Sequence, residues 1–325
     1  MHRRFWLLPL VLPAAIFVGI LSVIMVWHAF AAETNITFST EPEIEVGAME
    51  EDAGLKPEIV PTTTVAVPSS TVSKFHLHAP PLAYLLRVAG DPVPKKGEQT
   101  VRVPVLMYHH IRPLRAKDTA RERLYIVTPD AFRAQMEGLA RAGYHPITPD
   151  DLEQALIDGS SVLPDKPILL TFDDGFREDY TVVLPILEQE SFQATFFVIP
   201  NASHFSGYMT KEMIQEAYQS GFVTIGSHTL NHPFLTRKST SDRLEEIAGS
   251  RNELESWINA PVTTFAYPYG AMSQTIEQEV AAAGYTSAFG VRLGSLHTPS
   301  SEFTLRRIRV MDGEDVVALA DAFSK

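Results

Sequence analysis

The 325-residue chain contains no cysteine. That excludes a disulfide framework and every thiolate metal site, so any metal must be held by His, Asp or Glu. It does not fix a compartment. Basic charge is also scarce: 27 Lys and Arg stand against 39 Asp and Glu, for a formal net charge of -12. A nucleic-acid binder normally shows a basic face, so that class is set aside. There is no Gly-rich loop to cradle a phosphate, and no internal repeat. What remains is 45% hydrophobic and 20% charged. That balance fits a globular protein with room for one large α/β domain plus appendages.

The charge is uneven. Between Glu33 and Glu58 eight acids (Glu33, Glu41, Glu43, Glu45, Glu50, Glu51, Asp52 and Glu58) face Lys56 alone, a net -7. This reads as a solvated acidic tether. Before it, the 23 residues from Phe5 to Trp27 carry no charge, and about 20 helical residues span a bilayer core. Trp6 and Trp27 sit at the ends as interface anchors, and Arg3 and Arg4 precede the run. The expected order is a cytoplasmic stub at 1–4, a transmembrane anchor at 5–27, an acidic and Pro/Thr-rich linker at 28–99, and an extracytoplasmic domain at 100–325. The alternative is a signal peptide cleaved at about Ala31, after Ala29-Phe30-Ala31, which would secrete the same domain.

From Thr100 onward, apolar runs and amphipathic segments alternate. Val103–Tyr108, Pro167–Phe172, Ala194–Ile199, Phe222–Ile225, Thr264–Ala266, Thr286–Phe289 and Arg307–Val310 read as short strands. Thr128-Pro129 opens a helix whose Phe132, Met136, Leu139 and Ala140 share one face, and Gly143 ends it. Further helices are expected at about Lys211–Ser220, Ser241–Ile258 and Ser273–Ala283. In the second of these, Leu244, Ile247, Ala248, Leu254, Trp257 and Ile258 form the inward stripe. Regular alternation predicts an α/β fold with a parallel sheet, and about seven strands favour a closed or nearly closed barrel. Chemistry then collects at the C-terminal strand ends.

Two strand ends carry chemistry-bearing residues. Thr171-Phe172-Asp173-Asp174-Gly175 places two carboxylates after a fully apolar strand, where burying charge is costly without a cation or partner. Read alone, Asp-Gly is equally an ordinary acidic turn. Ser227-His228-Thr229-Leu230-Asn231-His232-Pro233 also follows an apolar strand, and imidazoles four positions apart come together on one helical turn. Read alone, these too are ordinary loop histidines. Barrel geometry brings both motifs to one rim, where Asp and two His leave coordination positions open for water and substrate. Imidazole ligands favour Zn2+, with Co2+ or Ni2+ possible, over Mg or Ca, which weighs against a Mg-dependent phosphatase. Which aspartate binds metal stays open on the residues alone.

TFDDG, SHTLNHP and the later FAYPYG (Phe265 to Gly270), in this order and spacing, resemble the polysaccharide deacetylase family (the NodB homology domain, carbohydrate esterase family 4). The resemblance covers roughly Pro104 to Val310. VLMYHHI (Val105 to Ile111) and Thr128 to Thr148 are similar to the subgroup that includes poly-N-acetylglucosamine deacetylases. The family implies a distorted (β/α)7-type barrel that removes acetyl groups from an N-acetylhexosamine polysaccharide. It implies Asp173 as general base, Asp174, His228 and His232 as metal ligands, and the Tyr269 backbone N–H as oxyanion donor. His109, His110, Pro268 and Tyr269 are expected to line the substrate.

Two departures stand out. Many members have Arg where this chain has Ala266, and that Arg orders the catalytic Asp. The family's final Leu-x-His motif supplies the general acid; Leu296-His297 is the nearest match, with His109 and His110 as alternatives. Other functions weighed are an O-acetyl esterase on a xylan-type glycan and a catalytically weak glycan-binding protein. No nucleic-acid partner is expected, and protein partners are not indicated.

Overall fold

A computed structural model describes residues 92–324. The apolar run at 5–27 and most of the expected linker lie outside the described residues. Among those described, no helix is long and apolar enough to cross a membrane.

The strands are β1 (Val101–Arg102), β2 (Val105–Tyr108), β3 (His110–Ile111), β4 (Ile126–Val127), β5 (His145–Pro146), β6 (Pro167–Asp174), β7 (Ala194–Val198), β8 (Val223–Ser227), β9 (Thr264–Ala266), β10 (Ser287–Phe289), β11 (Leu296–His297) and β12 (Ile308–Arg309). The helices are α1 (Ala120–Arg123), α2 (Pro129–Arg141), α3 (Pro149–Asp158), α4 (Leu184–Glu190), α5 (Lys211–Gln219), α6 (Thr240–Ile258), α7 (Gln274–Ala282) and α8 (Val316–Phe323). The main sheet runs β10-β9-β8-β7-β6-β2-β12, all parallel, with β5 also beside β6. A parallel bridge between Phe289 and Leu305 links the edge strand β10 to the segment entering β12. The result is a curled, parallel α/β half-barrel.

Strand alternation separates two cores. Val105, Leu169, Phe197, Ala266, Phe289 and Leu305 pack inside the curl. Leu106, Leu170, Phe172, Phe196, Phe265, Ile308 and Val310 pack outward among the helices. Each core residue is buried at roughly 25 cal/mol per Å² of apolar surface, which drives the curl. β1 pairs antiparallel with β11, and Val101 and Val103 join the inner cluster.

Two helical faces differ from expectation. On α2, Ala140 is exposed and Gln135 is buried, where its Oε1 accepts from the Tyr108 hydroxyl at 3.1 Å. On α6 the buried stripe is Ile247, Ser250, Leu254 and Trp257. Leu244 lies on its flank and is 43% exposed.

Candidate metal centre and active site

Strand register assembles the site. Asp173 lies level with Phe197, Asp174 with Val198, Val198 with Ser227, and Ser227 with Phe265. Adjacent parallel strands therefore release Asp174, His228 and Ala266 at one height on the C-terminal rim. On the other side of β6, Tyr108 lies level with Phe172, so His109 emerges beside Asp173.

Asp174 Oδ1 is 3.6 Å from His228 Nε2 and 3.4 Å from His232 Nε2. The three ligand atoms lie within 4.8 Å of one another. The histidines do not share a helical turn; a loop carries them, folded back by Thr229 at φ 65° and His232 at φ 58°. Thr229 Oγ1 accepts the His232 backbone N–H at 2.9 Å and fixes this turn. Asp174 (φ 79°) and Tyr269 (φ 59°) also occupy the left-handed region. Strain of this kind collects where a side chain must be aimed.

The donor set fits a divalent cation. His228 Nδ1 donates to the Ala266 carbonyl at 2.7 Å, which leaves the Nε2 lone pair facing Asp174. Burial lowers His228 to about 4, and burial with the His228 neighbour lowers His232 to about 3. Both rings are thus neutral and able to ligate at neutral pH. Burial and the adjacent Asp173 push Asp174 up to about 7, a setting in which a bound cation would favour its ionised form.

A titration follows. Below pH 7 a metal must displace the proton that Asp174 holds in the metal-free protein. Apparent affinity should fall roughly tenfold per pH unit from 7 toward 5 and level off above 7. Equilibrium dialysis with Zn2+ at pH 5, 6, 7 and 8 checks this. Equal affinity at pH 5 and pH 7 would exclude Asp174 as the ligand that titrates.

Asp173 is held differently. It is 2% exposed and points into the curl, in phase with Leu169 and Thr171. Arg307 grips it with two parallel bonds, Nη1 to Oδ1 at 2.6 Å and Nη2 to Oδ2 at 2.8 Å. Arg307 is itself buried: its Nε donates to the Gly290 carbonyl, and its guanidinium lies 5.6 Å from the Phe197 ring centroid. Burial alone would raise the Asp173 carboxyl, but Arg307, with His228 and His109 beside it, holds it well below the usual carboxylate range.

The other expected residues divide. His109 Nε2 is 3.9 Å from Asp173 Oδ2. His110 bonds Glu178 at 2.7 Å and stacks on Phe176. Both line a cavity of about 540 Å³ with the metal ligands and Tyr269. Tyr269, 54% exposed, stacks on Phe234 at 3.8 Å. Pro268 is buried beneath this turn and does not line the cavity. His297 is not in the site. It is fully buried on β11, pairs with Val101 of β1, and its Nε2 bonds the Val103 carbonyl at 3.1 Å. Sequence reading missed Arg307, although a signal was there. Leu305 and Arg307 alternate with the outward Ile308 and Val310, and an arginine fully buried in that inward phase needs a buried carboxylate.

Comparisons with known proteins agree with this geometry. Residues 160–288 match the model of the polysaccharide deacetylase family. That stretch holds Asp173, Asp174, His228 and His232, and over it the chain is similar to the family. YxkH of Bacillus subtilis is 27% identical over 218 residues, which span 67% of this chain and 75% of YxkH. The peptidoglycan-N-acetylglucosamine deacetylase of Bacillus cereus is 31% identical over 122 residues, 37% of this chain and 54% of that protein. The structure of the Streptococcus pyogenes deacetylase PplD in complex with acetate superposes with a TM-score of 0.65 at 28% identity, covering 70% of this chain and all of that one. The family's deacetylases are metal-dependent, and the Asp174, His228 and His232 ligand set is the matching feature here.

Proposed function

We propose that the protein is a hydrolase that removes N-acetyl groups from an N-acetylhexosamine polysaccharide, with a divalent metal, Zn2+ in preference to Co2+ or Ni2+, on Asp174, His228 and His232. The observation that carries this reading is a carboxylate, Asp173, held ionised beside a three-ligand metal site in one open cleft. A metal bound there supplies Lewis acidity toward the acetyl carbonyl and acidifies the attacking water. Asp173 accepts the water's proton, and Arg307 fixes its two oxygens for that task. The Tyr269 backbone N–H, carried by a strained turn at the cleft rim, would donate to the developing oxyanion. His109 is the titratable group beside Asp173 and serves as the proton carrier to the leaving amine. Burial lowers its pKa to about 4, so it starts neutral and acts as an acid only after taking from Asp173 the proton that Asp173 accepted from water.

A bidentate Arg–Asp pair spent on orienting a base argues for turnover rather than glycan binding alone. The same water attack serves an ester, so N- and O-acetyl substrates are compared directly. Purified full-length protein with added Zn2+, Co2+ or Ni2+ should release acetate from N-acetylglucosamine oligomers faster than from acetylated xylan oligomers. Acetate from xylan alone would move the reading to an esterase. None from either, with metal bound, would end it.

The run from Phe5 to Trp27 with Arg3 and Arg4 before it supports a membrane anchor that leaves the catalytic domain outside the cell, where such polymers lie. Cleavage at about Ala31 would release the same domain.

A further inference from the structure

The cleft is asymmetric in charge. A second cavity of about 270 Å³ meets the first at Asp174 and His232, and its remaining lining is Ile199, Asn201, Ala202, Phe205, Tyr208 and Asn231. None of these is charged, and Phe205 is 66% exposed at its lip. Amides and an exposed aromatic face suit an uncharged sugar. The larger lobe differs: Arg112, Arg121 and Arg309 line it with Glu122 and Tyr125.

Two of these charges are already engaged. Arg112 makes a bidentate pair with Asp118, both bonds at 2.9 Å. Glu122 is folded into the capping box of α1, where its Oε2 accepts from the Thr119 backbone N–H and hydroxyl. Arg309 is half-buried, and its guanidinium carbon sits over the Tyr125 ring, 4.4 Å from its centroid. The Tyr125 ring meets the His109 ring edge-on at 5.0 Å. Asp173, His109, Tyr125 and Arg309 therefore form a series leading outward from the reacting centre. Among the described residues no carboxylate pairs with Arg309 or with Arg121.

A protein of net charge -12 has thus placed two uncompensated guanidinium groups in one lobe of its cleft and, beyond the shared metal ligands, no charged residue in the other. A guanidinium matches planar or tetrahedral oxyanions through paired N–H donors, and contact with the Tyr125 ring holds the Arg309 fork in place before the ligand arrives. We propose that the larger lobe is an anion subsite. In this inference, which rests on the deacetylase reading above, Arg309 and Arg121 recognise one negative charge carried by the sugar next to the acetylated hexosamine. A carboxylate and a phosphodiester share the required chemistry. The smaller lobe takes an uncharged neighbour, so the polymer lies in one direction across the metal.

Binding to the metal-loaded, full-length Asp173→Asn variant separates recognition from turnover. Three probes of equal length are compared by calorimetry: a neutral N-acetylglucosamine oligomer, one with a lactyl-ether carboxylate on alternate sugars, and one joined by a phosphodiester. At least one anionic probe should bind about tenfold more tightly than the neutral one, and 0.5 M NaCl should shrink that ratio. The tighter of the two names the anion. Adding Arg309→Gln should bring the anionic-to-neutral ratio close to one, while Arg309→Lys should keep part of it. Equal binding of all three probes would overturn the proposal. So would an Arg309→Gln effect that weakens all three alike, since that is a structural effect. If the preference holds but wild-type protein frees no acetate from any probe, the subsite stands and the deacetylase reading falls.

Discussion

Asp173→Asn should lower kcat by roughly 10³-fold, within the 10²–10⁴ range of a positioned general base, with metal still bound. The geometry separates these two effects. Asp173 points into the curl and bonds Arg307, whereas Asp174 sits at the strand end and faces the two imidazoles. The amide keeps the shape and still accepts one bond from Arg307, but it cannot take a proton from water. Acetate release, metal content and a thermal melt, measured on the same preparation, distinguish loss of chemistry from loss of site. Activity within tenfold of wild type would remove Asp173 from the proton transfer. Loss of metal together with activity would instead make it a ligand. Because Arg307 keeps Asp173 ionised across the working pH range, an acid fall in rate should track metal release through Asp174.

The ordering of these two aspartates shows what the sequence could and could not convey. TFDDG announced a site, and the apolar strand before it placed that site at a sheet rim. Yet Asp173 and Asp174 are indistinguishable as letters. They separate only through the pleat, which sends Leu169, Thr171 and Asp173 inward, and through the left-handed turn at Asp174. The histidine pair was legible in the same partial way. Four-residue spacing suggested a helix, but Thr229 and His232 in left-handed conformations bring the rings together within a loop. Strand–helix alternation gave the fold because burying one face of each element leaves few arrangements. Long-range partners left weaker traces. His297 matched a local motif, but pairing between β1 and β11 sets its surroundings, and that pairing joins residues almost two hundred positions apart. There it lies fully buried, bonded to the Val103 carbonyl and outside the lining of the cleft.

Arg307 is the clearest such case, and the second large effect is expected from it. Many family members supply an arginine from the position of Ala266; here Ala266 is a small member of the inner core and the guanidinium comes from the segment entering β12. Arg307→Met should be costly in two ways. Removing one partner of a buried ion pair strands the other charge, typically at about 3–5 kcal/mol. For a domain of this size that corresponds to a melting temperature lower by roughly 6–20 °C. The second cost falls on chemistry. Without Arg307, burial pushes the Asp173 carboxyl upward, and its oxygens lose their fixed direction. The acid limb of the pH–rate profile should then move to higher pH, and kcat should fall about 10²-fold with little change in KM. Arg307→Lys keeps the charge but not the fork, so it should restore much of the stability and less of the rate. This split separates orientation from bulk electrostatics, because a purely structural arginine would lose stability and rate together. An Arg307→Met protein with an unshifted pH profile and near-normal kcat would show that Asp173 needs no aligning partner, and that Ala266 marks a lost function rather than a relocated one.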